Sequence, residues 1–105
     1  MYTPDNWVIL KINYDTKIFY KILAGWSGGY LDGDSWRMNS GITKVEVDGN
    51  YYLFHGSSGS VYKCHKDSET LRMNNTYIYE KLMKFHGDDV SRINYTDFVK
   101  EFTER

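Results

Sequence analysis

The strongest constraint on this chain is a turn. Asp48-Gly49 separates ITKVEV (residues 42–47) from YYLFH (residues 51–55). The first run alternates apolar and polar residues, and the second is aromatic, so both read as strands. Asp-Gly between them predicts a hairpin, because a type I′ turn needs positive φ at both central residues. The same grammar recurs upstream. Residues 7–14, WVILKINY, put Val8, Leu10, Ile12 and Tyr14 on one face at period two. Asp15-Thr16 supplies a tight turn, and residues 17–24, KIFYKILA, form the return strand. Trp36 to Met38 is a short strand, and Ser60 to Cys64 is the last. Five or six antiparallel strands within 65 residues predict a strongly bent sheet or a small SH3-like barrel, with glycines at the bends.

Helical spacing appears only late. Ile78, Leu82 and Phe85 fall on one face at i, i+4 and i+7. Asn75 or Thr76 caps the start, and Gly87 ends the helix. Asp88–Arg92 reads as a polar connection. Thr96 caps a final short helix with Phe98, Val99 and Phe102 facing inward. The fold class is therefore α+β, in one domain over residues 1–105: a β-rich part at 6–64 and a helical segment at 75–104, laid over an open side of the sheet.

A chain of 105 residues can bury a single core. Its 41% hydrophobic and 17% aromatic content, with ten tyrosines, suits a packed domain rather than a disordered one. A net charge of -1 provides no broad basic field, which argues against an obligate duplex-DNA binder. The single cysteine, Cys64, forms no intrachain disulfide and fits a reducing cytoplasm. The N-terminal stretch lacks a basic n-region and a long apolar run. No segment approaches the roughly 18–20 apolar residues of a membrane span. The expected localisation is cytoplasmic, without a membrane partner.

Two blocks share an unusual pattern. Residues 25–42 read GWSGGYLDGDSWRMNSGI, and residues 56–78 read GSSGSVYKCHKDSETLRMNNTYI. Both begin Gly-x-Ser-Gly and pass through Asp-Ser. They reach Arg37-Met38-Asn39 and Arg72-Met73-Asn74. Gly25 to Gly29 is a literal G-x-S-x-G, but a nucleophile elbow needs a helix after it, and YLDGDSW cannot supply one. Asp32 and Asp34 in this glycine loop read as turn formers. His55, Cys64, His65 and His86 lack metal-ligand spacing, and Cys64 reads as a small buried thiol. Residues 86–98 resemble the back half of an EF-hand loop. Val90 at the fifth position, Ser91 in place of the turn glycine and Asp97 in place of the bidentate glutamate leave too few oxygens for calcium. No P-loop is present. The residue types in the two blocks do suit a nucleotide. Glycine turns offer backbone N–H groups to anions. Trp26, Tyr30, Trp36 and Tyr62 offer faces for bases, and Arg37 and Arg72 can pair phosphates or stack. The competing reading is tight turns whose aromatics cover the core.

Residues 8–62 resemble the Sm/Lsm family of small RNA-binding barrels. The first family motif ends in Asp-x-x-Met-Asn before an apolar residue. Asp34-Ser35-Trp36-Arg37-Met38-Asn39 matches it with one extra residue, and Ile42 follows. The second motif is apolar-Arg-Gly-Ser/Asn. Phe54-His55-Gly56-Ser57-Ser58 matches it, with His55 in the arginine position. The resemblance implies a bent five-stranded barrel, assembly of copies through edge strands, and single-stranded RNA at the inner rim. It implies that Asn39 hydrogen-bonds a base, that Trp36 or Arg37 stacks on it, and that His55 and Gly56 close the pocket. The whole chain also resembles small proteins of marine tailed phages that share a GWSGGYLDGDSW-like stretch, which implies action inside an infected bacterial cell.

The expected function is a non-enzymatic binding module for single-stranded RNA or a nucleotide, working as a homo-oligomer, with no cofactor. The alternative is a small phage-type protein that binds a host protein, its exposed aromatics acting as hot spots.

Overall fold

The computed structural model describes residues 1–28 and 33–104. Gly29, Tyr30 and Asp32, singled out above, lie outside them. Within them are seven strands: β1 (Asn6–Tyr14), β2 (Lys17–Trp26), β3 (Ser35–Met38), β4 (Ile42–Asp48), β5 (Tyr51–Gly56), β6 (Val61–His65) and β7 (Val90–Ile93). Two helices, α1 (Met73–His86) and α2 (Tyr95–Glu104), come late, as the spacing predicts. The α+β class holds. The strands form two antiparallel sheets, ordered β3-β2-β1-β7 and β4-β5-β6.

β1 is buried on both faces, so its apolar run is nearly continuous. Trp7 and Ile9 face the other sheet. With Ile22, Ile42, Phe54, Tyr62, Cys64 and Phe98 they make the main core. Val8 and Leu10 face the opposite way and pack, with Leu23, under Ile78 and Leu82 of α1. The layers are therefore α1, the four-stranded sheet, and the three-stranded sheet with α2 wedged against the shared core. The helices do not form a pair on one side. α2 brings Phe98 and Phe102 against Tyr20, while Tyr95 stacks on Tyr52 with ring centroids 3.6 Å apart. The N-terminal segment ties the sheets together. Tyr2 bridges Tyr62 on β6, and Trp7 bridges Glu69. Trp7 Nε1 donates to the His65 carbonyl at 2.8 Å, so its buried N–H is satisfied.

Five local expectations shift. The β4–β5 turn places Gly49 and Asn50, not Asp48 and Gly49, between the paired ends Asp48 and Tyr51. Gly49 has φ +60 and Asn50 does not share the positive φ, the pattern of a turn with glycine first. Asp88–Arg92 is not merely a connection, because Val90–Ile93 pairs with Ile12–Ile9 of β1 as an edge strand. Its two apolar residues lie on opposite faces, which hides it from an alternation count. α1 begins at Met73, and Asn75 acts from inside its first turn, accepting the Arg72 N–H on Oδ1 at 2.9 Å. Phe85, placed on one face with Ile78 and Leu82, is 71% exposed. In α2 the cap is Asn94 rather than Thr96. The Asp97 N–H donates to Asn94 Oδ1 at 2.8 Å.

Candidate functional site

β3 is an edge strand of four residues, held by pairing of Met38, Arg37, Trp36 and Ser35 with Leu23 to Trp26. Trp36 and Arg37 are successive, so they leave the strand on opposite faces. At a sheet edge both remain accessible, and both line a cleft of about 400 Å³ with Tyr2 and Trp26. Tyr2 is brought there by its place beside β6. Its N–H donates to the Val61 carbonyl at 2.8 Å, and its carbonyl accepts from the Lys63 N–H at 2.7 Å. The Tyr2 ring lies 4.9 Å from that of Tyr62 and meets Trp26 edge-on at 6.4 Å. The Arg37 guanidinium sits 4.6 Å from the Tyr2 ring centroid and donates from Nη1 to the Tyr2 hydroxyl at 3.1 Å. Among the described residues it pairs with no carboxylate. Trp26 Nε1 donates to the Thr3 carbonyl at 3.1 Å, which fixes that ring. Trp36 is 41% exposed. The result is a partly open wall of rings with one oriented cation, a surface suited to a flat, electron-rich group.

The other expected contact residues sit elsewhere. Asn39 is buried, and it acts as an extra strand residue. Its N–H donates to the Ile22 carbonyl at 3.1 Å, and its Oδ1 accepts from the Ile22 N–H at 2.8 Å. Its Nδ2 is enclosed and has no hydrogen-bond partner among the described residues. A base could reach this amide only if β3 parted from β2. Gly56 is buried at the end of β5. A Cβ there would lie 2.9 Å from Ser40 Oγ and 3.1 Å from Ser60 Oγ, so a larger residue would push these hydroxyls aside. The segment after Asn39 does lie beside the Gly56 turn. The Ser57 N–H donates to the Gly41 carbonyl at 2.9 Å, and the Ser58 N–H donates to Ser40 Oγ at 2.9 Å. His55 points from the outer face of the three-stranded sheet, with Nε2 3.6 Å from Glu46 Oε2. Lys44, and to a lesser degree His55, hold the Glu46 carboxyl below its ordinary range. Neither His55 nor Gly56 lines the Tyr2–Trp36 cleft.

The doubled Arg-Met-Asn has two structural uses. In the first copy Asn39 staples β3 to β2. In the second, Asn74 joins a buried network that sequence reasoning missed. Asn6 Nδ2 donates to Asn74 Oδ1 at 3.0 Å and to Asn75 Oδ1 at 3.1 Å, and Asn74 Nδ2 returns a bond to Asn6 Oδ1 at 2.7 Å. The readable signal was Asn6 beside the apolar run of β1 and an Asn-Asn pair opening a helix. Burial pushes the Cys64 thiol far up and keeps it protonated, which removes it as a nucleophile. Among the described residues no three His, Cys, Asp or Glu groups gather to hold a metal ion, and no helix is long and apolar enough to cross a membrane.

No protein-family model, curated protein or solved structure matches this chain.

Proposed function

We propose that this protein is a small non-enzymatic binding module that takes single-stranded RNA or a nucleotide into the Tyr2–Trp26–Trp36–Arg37 cleft. The carrying observation is a half-exposed Trp36 beside an arginine that is aligned on a ring and free of any carboxylate partner among the described residues. Stacking contributes about 1–3 kcal/mol per base and is indifferent to base identity. With Arg37 the one cationic side chain among the described residues that line the cleft, and a net charge of -1, binding depends on bases more than on phosphates. Asn39, His55 and Gly56 then support the scaffold behind β3 and β4 rather than touch the base. Of the motif likened to Sm proteins, Trp36 and Arg37 carry the contact.

The test is an anisotropy titration with a labelled uridine-rich oligonucleotide. Trp36→Ala is expected to weaken binding by roughly tenfold or more, with an unchanged melting temperature. Equal affinity of the two proteins would overturn the reading.

One observation favours a protein partner as the second reading. Met73 and Tyr77, one turn apart on the outer side of α1, are 87% and 51% exposed. Pull-down from a bacterial lysate with and without nuclease separates the readings. A partner retained after nuclease, and lost on Tyr77→Ala, supports the second.

A further inference from the structure

α1 covers only part of the sheet face beneath it. Val8, Leu10 and Leu23 lie under Ile78, Tyr79 and Leu82. Nearer the β1–β2 turn the same face carries Ile12 and Phe19, which sit opposite each other. The helix has ended by then, at His86. A groove of about 340 Å³ remains, lined by Ile12, Phe19, Leu82 and Val90. That volume lies at the small end of the roughly 300–1,000 Å³ typical of ligand sites, which pair apolar walls with a few polar groups.

The polar residues of the lining include Asn13, Lys21, Ser40 and His86, with Asp89 as the one carboxylate among the described lining residues. Lys21 pairs with Leu10 in the strand register, so it projects on this apolar face. The other half-buried lysines are all compensated. Lys11 pairs with Glu101, while Lys63 and Lys66 lie over Tyr51 and Tyr52. Among the described residues Lys21 has no such partner. Lys21 is half-buried, and its ammonium has no salt-bridge partner among the described residues, which leaves it available to a bound anion. Asp89 offsets part of the positive field, so one negative charge suits the groove better than two.

We infer that this groove binds a small monocarboxylate with an aromatic or branched aliphatic body. The body lies on Ile12 and Phe19, and the carboxylate accepts from Lys21 Nζ, with His86 as a second donor. The site is separate from the Trp36 cleft and does not depend on it.

Phenylacetate and its neutral isostere phenylacetamide are the probes, followed by two-dimensional NMR on the full chain. Saturable shifts are expected at Ile12, Phe19, Lys21 and Leu82, with the acid bound about tenfold tighter than the amide. Lys21→Met keeps an apolar stem and is expected to bring that ratio to about one. Equal binding of acid and amide by the wild-type protein would overturn the inference. So would shifts mapping elsewhere, or no saturable shift. Movement of the same resonances with protein concentration, without any acid, would mark a second copy as the occupant and overturn it too. The wild-type ratio decides the matter even if Lys21→Met fails to fold.

Discussion

Asn74 and Gly25 define each other. A Cβ on Gly25 would fall 2.0 Å from Asn74 Oδ1, so β2 must carry glycine wherever that amide reaches Asn6. Removing the Asn74 side chain strips Asn6 Oδ1 of its 2.7 Å bond in a site closed to water. Asn74→Ala is expected to cost about 1–3 kcal/mol in urea denaturation. Gly25→Ala is expected to cost less in the Asn74→Ala background than alone, because the clashing atom is gone. Strictly additive costs would show that the two residues are not coupled. A second strained position lies in the β1–β2 turn. Asp15 and Thr16 have φ of 49 and 64, and a β-branched residue pays for the left-handed region. Thr16→Gly relieves roughly 1–2 kcal/mol of that strain against a glycine entropy loss of about 0.5–1 kcal/mol. A small net stabilisation is expected in the same denaturation experiment, and a clear loss would contradict it.

Elements built on a repeated local rule were legible; those set by a distant partner were not. The β1–β2 and β4–β5 hairpins follow from alternation and turn residues, and α2 follows from Phe98, Val99 and Phe102. The division into two sheets was hidden. It depends on Trp7 and Ile9 facing one way while Val8 and Leu10 face the other, and a run buried on both faces has no readable period. β7 was hidden because four residues with Val90 and Ile93 on opposite sides show no alternation. For the site, Trp36 and Arg37 were picked out by residue type. Tyr2 was not, since only its bridge to β6 brings it to the cleft. The junction between β6 and α2 also carries a pH signature. Burial pushes the Glu69 carboxyl above its ordinary range, although the Tyr95 N–H and Arg92 oppose the shift. The folded state therefore holds this proton more tightly than the unfolded state, and the stability it lends is lost as pH rises through the folded value. Glu69→Gln removes the cost of ionisation and keeps an acceptor for Tyr95. It is expected to raise the urea midpoint at pH 7 relative to wild type, with the gain vanishing near pH 3. A lower midpoint at pH 7 would contradict this.

At the scale of the whole molecule, the N-terminal segment closes the arrangement. Tyr2 lies along β6, joins the sheets at one end and supplies a ring to the cleft. It also covers part of the β6 edge, leaving β4 as the open edge of that sheet. β4 is guarded by a register shift between Ile42 and Lys44 and by the charges of Lys44, Glu46 and Asp48. Light scattering is expected to return the single-copy mass of 12.4 kDa, against the homo-oligomer expected from the sequence, and a mass several times larger would mean that an edge strand such as β4 pairs with a neighbouring copy. The proposed contact holds bases, not phosphates, through Trp36 with Arg37. The most direct test titrates the protein with a short uridine oligonucleotide and with an abasic strand of the same length, at one salt concentration. Saturable binding of the first and its loss with the second are expected. Equal binding of both strands would assign the interaction to charge and overturn base recognition by Trp36.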